Sequence, residues 1–206
     1  MLRDGPFLEF CKRAREDRDR PYVLLIDEIN RGNLSGIFGE LLMLIEADKR
    51  SKEWAVRLAY PRGAGERFHV PENVHLIGTM NTADRSLALV DYALRRRFAF
   101  FTVEPAFGQP QFRTHLEDRG VPASLRRRIG ERLGALNEAI AGEPDLGPGF
   151  RVGHSYFCDP PSGESADYAR WFEEIVSFDI EPLLEEYWFD RPKKTPEAVA
   201  NLLAGD

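Results

Sequence analysis

"VHLIGTMNTADRS" (residues 74–86) decides how this chain is read. Val74, Leu76 and Ile77 belong to a short apolar run that ends at Gly78, and the polarity then switches at Asn81, Thr82, Asp84 and Arg85. A continuous apolar run of this length predicts a strand buried on both faces, as parallel strands are. A strand that runs out into an asparagine and an aspartate carries polar groups to one edge of a sheet. In open α/β folds that edge is where ligands bind.

Upstream, "YVLLIDE" (22–28) repeats the pattern and delivers Asp27 and Glu28. If the two strands are neighbours, Asp27, Glu28 and Asn81 share one edge. Two carboxylates there suit a Mg²⁺–nucleotide site: one holds the metal or its water, and the second orients the attacking water. Asn81 is neutral, so it can hold that water against a terminal phosphate without adding repulsive charge. Taken singly, each feature is also what a strand end followed by a helix cap looks like, and the arginines at 95–97 taken singly are a solvated helix end.

Around these strands the periodicity predicts an amphipathic helix over 6–18 and a second over 34–49, capped by Asn33. Leu34, Ile37, Phe38, Leu41, Leu42 and Ile45 form the apolar stripe of the second helix. "WAVRLAY" (54–60) and "ERFHV" (66–70) flank the turn-rich "PRGAG" (61–65), a β-hairpin whose Arg62-bearing tip is expected to project as a contact element. "SLALVDYALRRR" (86–97) reads as a helix and "FAFFTV" (98–103) as a third strand. Beyond Pro105 the patterns at 109–119, 122–141, 166–189 and 195–204 are all helical. An α/β portion over 1–105 is therefore expected to precede an all-α portion over 106–206.

The 206 residues are 43% hydrophobic and 30% charged, the balance of a globular chain with a real core. A net charge of −6 argues against a nonspecific nucleic-acid coat, although "LRRRF" (94–98) and "LRRRI" (125–129) are basic runs that could be stripes or solvated helix faces. Cys11 and Cys158 are the only cysteines, so neither a disulfide framework nor a zinc knuckle is indicated. No apolar run nears the roughly 20 residues that span a bilayer, and the first residues lack the features of a secretory signal. These observations lead to the expectation of a cytoplasmic protein with no membrane contact.

"IDEINRGNLSGIFGELLMLIEADKR" (26–50), "VPENVHLIGTMNTADRSLALVDYALRRRF" (70–98), "FRVGHSYF" (150–157) and "IEPLLEEYWFD" (180–190) together resemble the McrB family, the GTP-hydrolysing AAA+ subunits of modified-cytosine restriction systems. The resemblance implies an α/β fold, a partial AAA+ P-loop NTPase core followed by an all-α lid. It implies Asp27 as the Mg²⁺ ligand, Glu28 as the catalytic-water residue, and Asn81 as the first sensor within an "NTAD" element that includes Asp84. Arg96, with Arg97 beside it, resembles the finger that reaches a neighbouring subunit's nucleotide, and His154 and Ser155 fall on the lid face towards the nucleotide. GTP is the implied nucleotide, with ATP as the alternative. A homo-oligomeric ring, expected to be a hexamer, a McrC-like nuclease subunit and methylated DNA held through a separate N-terminal domain are the implied partners.

One departure stands out. No Gly-Lys pair occurs in the sequence, so the phosphate-binding G-x-x-x-x-G-K-[ST] is lacking. The resemblance places a missing strand between that bearing Asn81 and that at 98–103, which leads to the expectation of unpaired apolar edges, poor solubility and no turnover by these 206 residues alone. The rival readings are a MoxR-type ATP-using chaperone, which shares the acidic motif and an arginine-bearing helix, and a non-catalytic oligomerisation remnant.

Overall fold

Tyr22–Ile26 (β1) and Val74–Gly78 lie side by side and parallel, in register from Tyr22 opposite Val74 to Ile26 opposite Gly78. They belong to the first of two units into which the chain divides after Phe101 in the computed structural model. The structure describes residues 4–58, 63, 65–81, 83 and 95–205.

In the first unit, helix α1 (Pro6–Glu16) opens on a proline, which needs no N–H there, and buries Cys11 and Ala14 against Leu44, Phe68, Val70 and Val74. Asn73 ties the start of the sheet to this helix. Its amide nitrogen donates to the carbonyls of Ala14 (2.9 Å), Asp17 (3.0 Å) and Arg20 (2.9 Å). Its own carbonyl accepts the Tyr22 N–H at 2.7 Å, which fixes where β1 begins relative to the partner strand.

The single helix expected over 34–49 is broken. Asn33 does cap α2 (Leu34–Phe38), its Oδ1 accepting the Gly36 N–H at 3.0 Å. Gly39 then stands at φ 49°, outside the right-handed helical region, and the chain continues as 3₁₀ turns over Gly39–Ile45, Ala47–Lys49 and Lys52–Trp54. The apolar stripe splits accordingly: Phe38 and Ile45 are buried, whereas Ile37 is 66% exposed. Val56–Arg57 (β2) and Arg67–Phe68 (β3) pair antiparallel as the base of the expected hairpin. Arg62, with 59–61 and 64, lies outside the described residues, as do Thr82 and residues 84–94 of the expected helix. We number the strand at Val74–Gly78 β4.

Residues 98–103 form no strand, contrary to the sequence expectation. A strand needs a ladder partner, and among the described residues none lies beside this segment. Phe101 and Val103 are each 87% exposed.

The second unit is helical: α3 (Pro110–Asp118), α4 (Ala123–Ala141), α5 (Tyr168–Ile175), α6 (Glu181–Tyr187) and α7 (Lys194–Leu203). Leu125, Ile129, Leu133, Leu136 and Ile140 line the inner face of α4 and meet Phe157, Phe172, Val176, Ile180 and Leu184. A π turn over Val176–Ile180 joins α5 to α6. Pro182 lacks the N–H that a regular helix would offer there, and the wider turn absorbs that gap. "LRRRI" proves to be a helix face, with Leu125 and Ile129 buried and Arg126 paired to Glu117 at 3.2 Å. No helix among the described residues is long and apolar enough to cross a membrane.

Candidate functional site

The parallel register sends both strands out at the same edge. Opposite Ile26 stands Gly78, so Asp27 and Thr79 follow side by side, and the Thr79 hydroxyl donates to Asp27 Oδ1. The Thr79 N–H donates to the Ile26 carbonyl at 3.0 Å, and the Thr79 carbonyl accepts the Ile29 N–H at 2.9 Å. Between these bonds sits Glu28 at φ 49° and ψ 46°, a left-handed conformation that costs a residue with a Cβ roughly 1–2 kcal/mol. Its N–H is held by Thr79 Oγ1 at 3.2 Å. The turn also needs Gly78, because a Cβ there would stand 2.8 Å from Ile29 Cδ1.

Asn81 lies two residues past Thr79, and its carbonyl accepts from Asn30 Nδ2 at 3.4 Å. Its side-chain oxygen accepts the Ala83 N–H at 3.0 Å. That commits the amide oxygen to the turn, so the group left for a ligand is the amide nitrogen, a donor suited to phosphate or water oxygens. Glu28 Oε2 meets Arg31 Nε at 2.9 Å, a half-exposed pair worth little. Asp27, Glu28, Thr79 and Asn81 are all exposed, so the edge is open. No cluster of His, Cys, Asp or Glu among the described residues forms a metal cage by itself. The exposed carboxylate of Asp27, with one oxygen held by the Thr79 hydroxyl, is a hard oxygen donor of the kind that suits Mg²⁺, an ion usually held by one or two carboxylates with waters and phosphate oxygens.

The other sequence-predicted residues divide. Asp84 lies outside the described residues. Arg97 turns inward, its side chain 14% exposed and its Nε 2.8 Å from Glu46 Oε1. Glu46 also binds Lys49, and that hydrogen bond, with the positive charges of Lys49 and Arg97, holds its carboxyl below the usual range. Arg96 is exposed.

His154 opens a 3₁₀ turn over His154–Phe157 in the second unit. Its Nδ1 accepts the Ala106 N–H at 3.1 Å, and its ring stands edge-on to Phe112 with centroids 5.7 Å apart. That nitrogen is committed to packing within the unit. Ser155 is exposed. The segment is seated by the buried Asn137, whose amide accepts the Val152 N–H at 2.7 Å and donates to the Val152 carbonyl at 3.0 Å.

Sequence reasoning missed Thr79, Glu46 and Asn137. Thr79 carried a usable signal: setting "LLID" beside "LIGT" in parallel register puts it opposite Asp27. Glu46 and Asn137 act on residues far along the chain and left no local trace.

A family model described as an AAA domain of the dynein-related subfamily matches residues 1–98, and one described as the McrB alpha-helical lid domain matches residues 128–196. The chain is thus a partial AAA+ α/β core followed by a helical lid. It is 50% identical over 205 residues to the type IV methyl-directed restriction enzyme EcoKMcrB subunit of Escherichia coli (strain K12), covering 99% of this chain and 44% of that protein. The likeness to that McrB subunit runs over nearly the whole chain, and residues 128–196 match the McrB lid. It is also 30% identical over 109 residues to the type II restriction enzyme BsuMI component YdiS of Bacillus subtilis (strain 168), covering 48% of this chain and 32% of that protein. The chain spans less than half the length of either relative.

Proposed function

We propose that these residues supply the acidic edge, the sensor and the lid of a nucleotide-hydrolysing AAA+ motor in a methylation-dependent DNA restriction system. The observation that carries this reading is the parallel pairing of β1 with β4, which brings Asp27, Glu28 and Asn81 out at one open edge. The 50% identity to a methyl-directed restriction subunit, in an alignment that covers 99% of the chain, supports the biological setting.

In this reading Asp27 would hold Mg²⁺, which would supply positive charge against the nucleotide phosphates. Glu28 orients the attacking water and draws on its proton, held in one direction by its left-handed turn. The Asn81 amide nitrogen donates to that water or to the terminal phosphate, with Asp84 beside it in "NTAD". His154 and Ser155 are the lid residues assigned to the nucleotide, Ser155 through its hydroxyl. Arg96 acts on a neighbouring subunit's nucleotide, and Arg97, paired to Glu46, anchors the segment that presents it. The phosphate grip comes from residues outside these 206, since no G-x-x-x-x-G-K-[ST] is present. GTP is the assigned nucleotide and ATP the competitor. A hexameric ring, a McrC-like nuclease partner, methylated DNA and a cytoplasmic setting complete the assignment.

The test uses an intact McrB-type relative with substitutions at matching positions. Glu28→Gln should lower GTP hydrolysis by about 100-fold or more while leaving nucleotide binding in place, as expected when only a proton-handling group is lost. Hydrolysis at the unsubstituted rate would refute the assignment.

A further inference from the structure

Thr79 lies between the two motifs that the sequence singles out, and its hydroxyl touches both carboxylate-bearing residues of the first. It accepts the Glu28 N–H at 3.2 Å and donates its proton to Asp27 Oδ1. A hydroxyl has a single proton to give, so the direction of this chain is fixed: amide N–H to hydroxyl oxygen, hydroxyl proton to carboxylate. The backbone of the same residue adds bonds to Ile26 (3.0 Å) and Ile29 (2.9 Å), on either side of the strained residue. One threonine therefore brackets the whole acidic turn from the neighbouring strand. Nothing else among the described hydrogen bonds holds the Glu28 N–H.

We propose that Thr79 is the positioning residue of the acidic edge. By engaging Asp27 Oδ1 it leaves the remaining carboxylate oxygen as the one presented to a divalent cation. By holding the Glu28 N–H it keeps that residue at φ 49° and so keeps its carboxylate aimed at the attacking water. The inference rests on the hydrolytic reading above and extends it to a residue outside the acidic and asparagine motifs. Groups that orient a metal ligand from behind cost about 10- to 100-fold in metal affinity or activity when removed.

The experiment has two arms. In this chain, without nucleotide, backbone amide exchange is followed by NMR for Thr79→Val, which keeps the shape and removes the hydroxyl, and for Thr79→Ser, which keeps the hydroxyl. Protection of the Glu28 amide should fall by about fivefold or more in the valine variant and persist in the serine variant. The Leu24 and Leu25 amides within β1 should be unaffected in both. In an intact McrB-type relative, the matching valine substitution should lower kcat about 10- to 100-fold and raise the Mg²⁺ concentration for half-maximal activity, with little change in nucleotide KM. The serine substitution should restore most of both. Unchanged Glu28 exchange in Thr79→Val, or unsubstituted kcat and Mg²⁺ dependence while Asp27→Asn loses turnover, would overturn the positioning role. Loss of protection along all of β1 would also overturn it, by making Thr79 a fold element. Full turnover by Asp27→Asn would instead overturn the hydrolytic reading itself.

Discussion

Glu28 is the one non-glycine residue among those described with a positive φ. Nothing in "VLLIDEIN" announces this, because a glutamate in a sequence is as readily a helix residue as a left-handed one. The strain becomes visible only with Thr79 and Gly78 in place, and it makes a specific claim about stability. Asparagine tolerates the left-handed region better than other residues with a Cβ. Glu28→Asn should therefore stabilise the isolated chain by about 1 kcal/mol in urea unfolding, even though it removes the proposed water-orienting carboxylate. A neutral or destabilising effect would show that the turn is relaxed. At the same scale, His154 has a packing contact beside its proposed nucleotide role. The sequence shows a loop histidine, but only the fold shows the Ala106 N–H that its Nδ1 accepts.

Among the elements, the acidic edge was readable because a buried parallel strand is an apolar run whose end is marked by the first polar residues. Both strands and their common edge follow from that rule and from the pairing of β1 with β4. The helix expected over 34–49 failed for a local reason, the left-handed Gly39, and the strand expected at 98–103 for a non-local one, since no described residue pairs with it. The lid helices were legible from their apolar spacing, but the clamp that joins them was not. Glu143, just past α4, bonds Lys194 in α7 and lies 2.6 Å from Arg191. Lys194 first, then Arg191, hold its carboxyl below the usual 4.5. A lowered carboxyl stabilises the fold above its unfolded value and loses that contribution as pH falls through the folded one. Glu143→Gln should thus lower the unfolding temperature of the lid at pH 7, and the gap to the unsubstituted chain should close as pH falls well below 4.5. A gap that persists unchanged at pH 3 would contradict the ion-pair account.

For the molecule as a whole, the sheet is unfinished on its own terms. Parallel strands are normally covered on both faces, yet Val23, Leu25 and Ile77 are 52%, 62% and 50% exposed. The proposed ring makes a second demand, that Arg96 act on a neighbour's nucleotide. In an intact relative, the matching Arg96→Ala and Glu28→Gln subunits should each be inactive alone. Mixing them should restore part of the activity, since some interfaces then combine a sound finger with a sound site. A finger supplied in trans is worth about 10³ to 10⁵ in rate in comparable enzymes, so recovery would be easily seen, and its absence in every mixture would place the arginine's role in cis. The central claim is that these residues hold the catalytic edge of a nucleotide site but not its phosphate grip. Calorimetric titration of GTP in the presence of Mg²⁺, on this chain and on the same chain extended with a relative's segment carrying G-x-x-x-x-G-K-[ST], tests it most directly. We predict no saturable binding to the chain alone and saturable binding with turnover by the extended form. Micromolar binding and turnover by the unextended, monomeric chain would contradict the account.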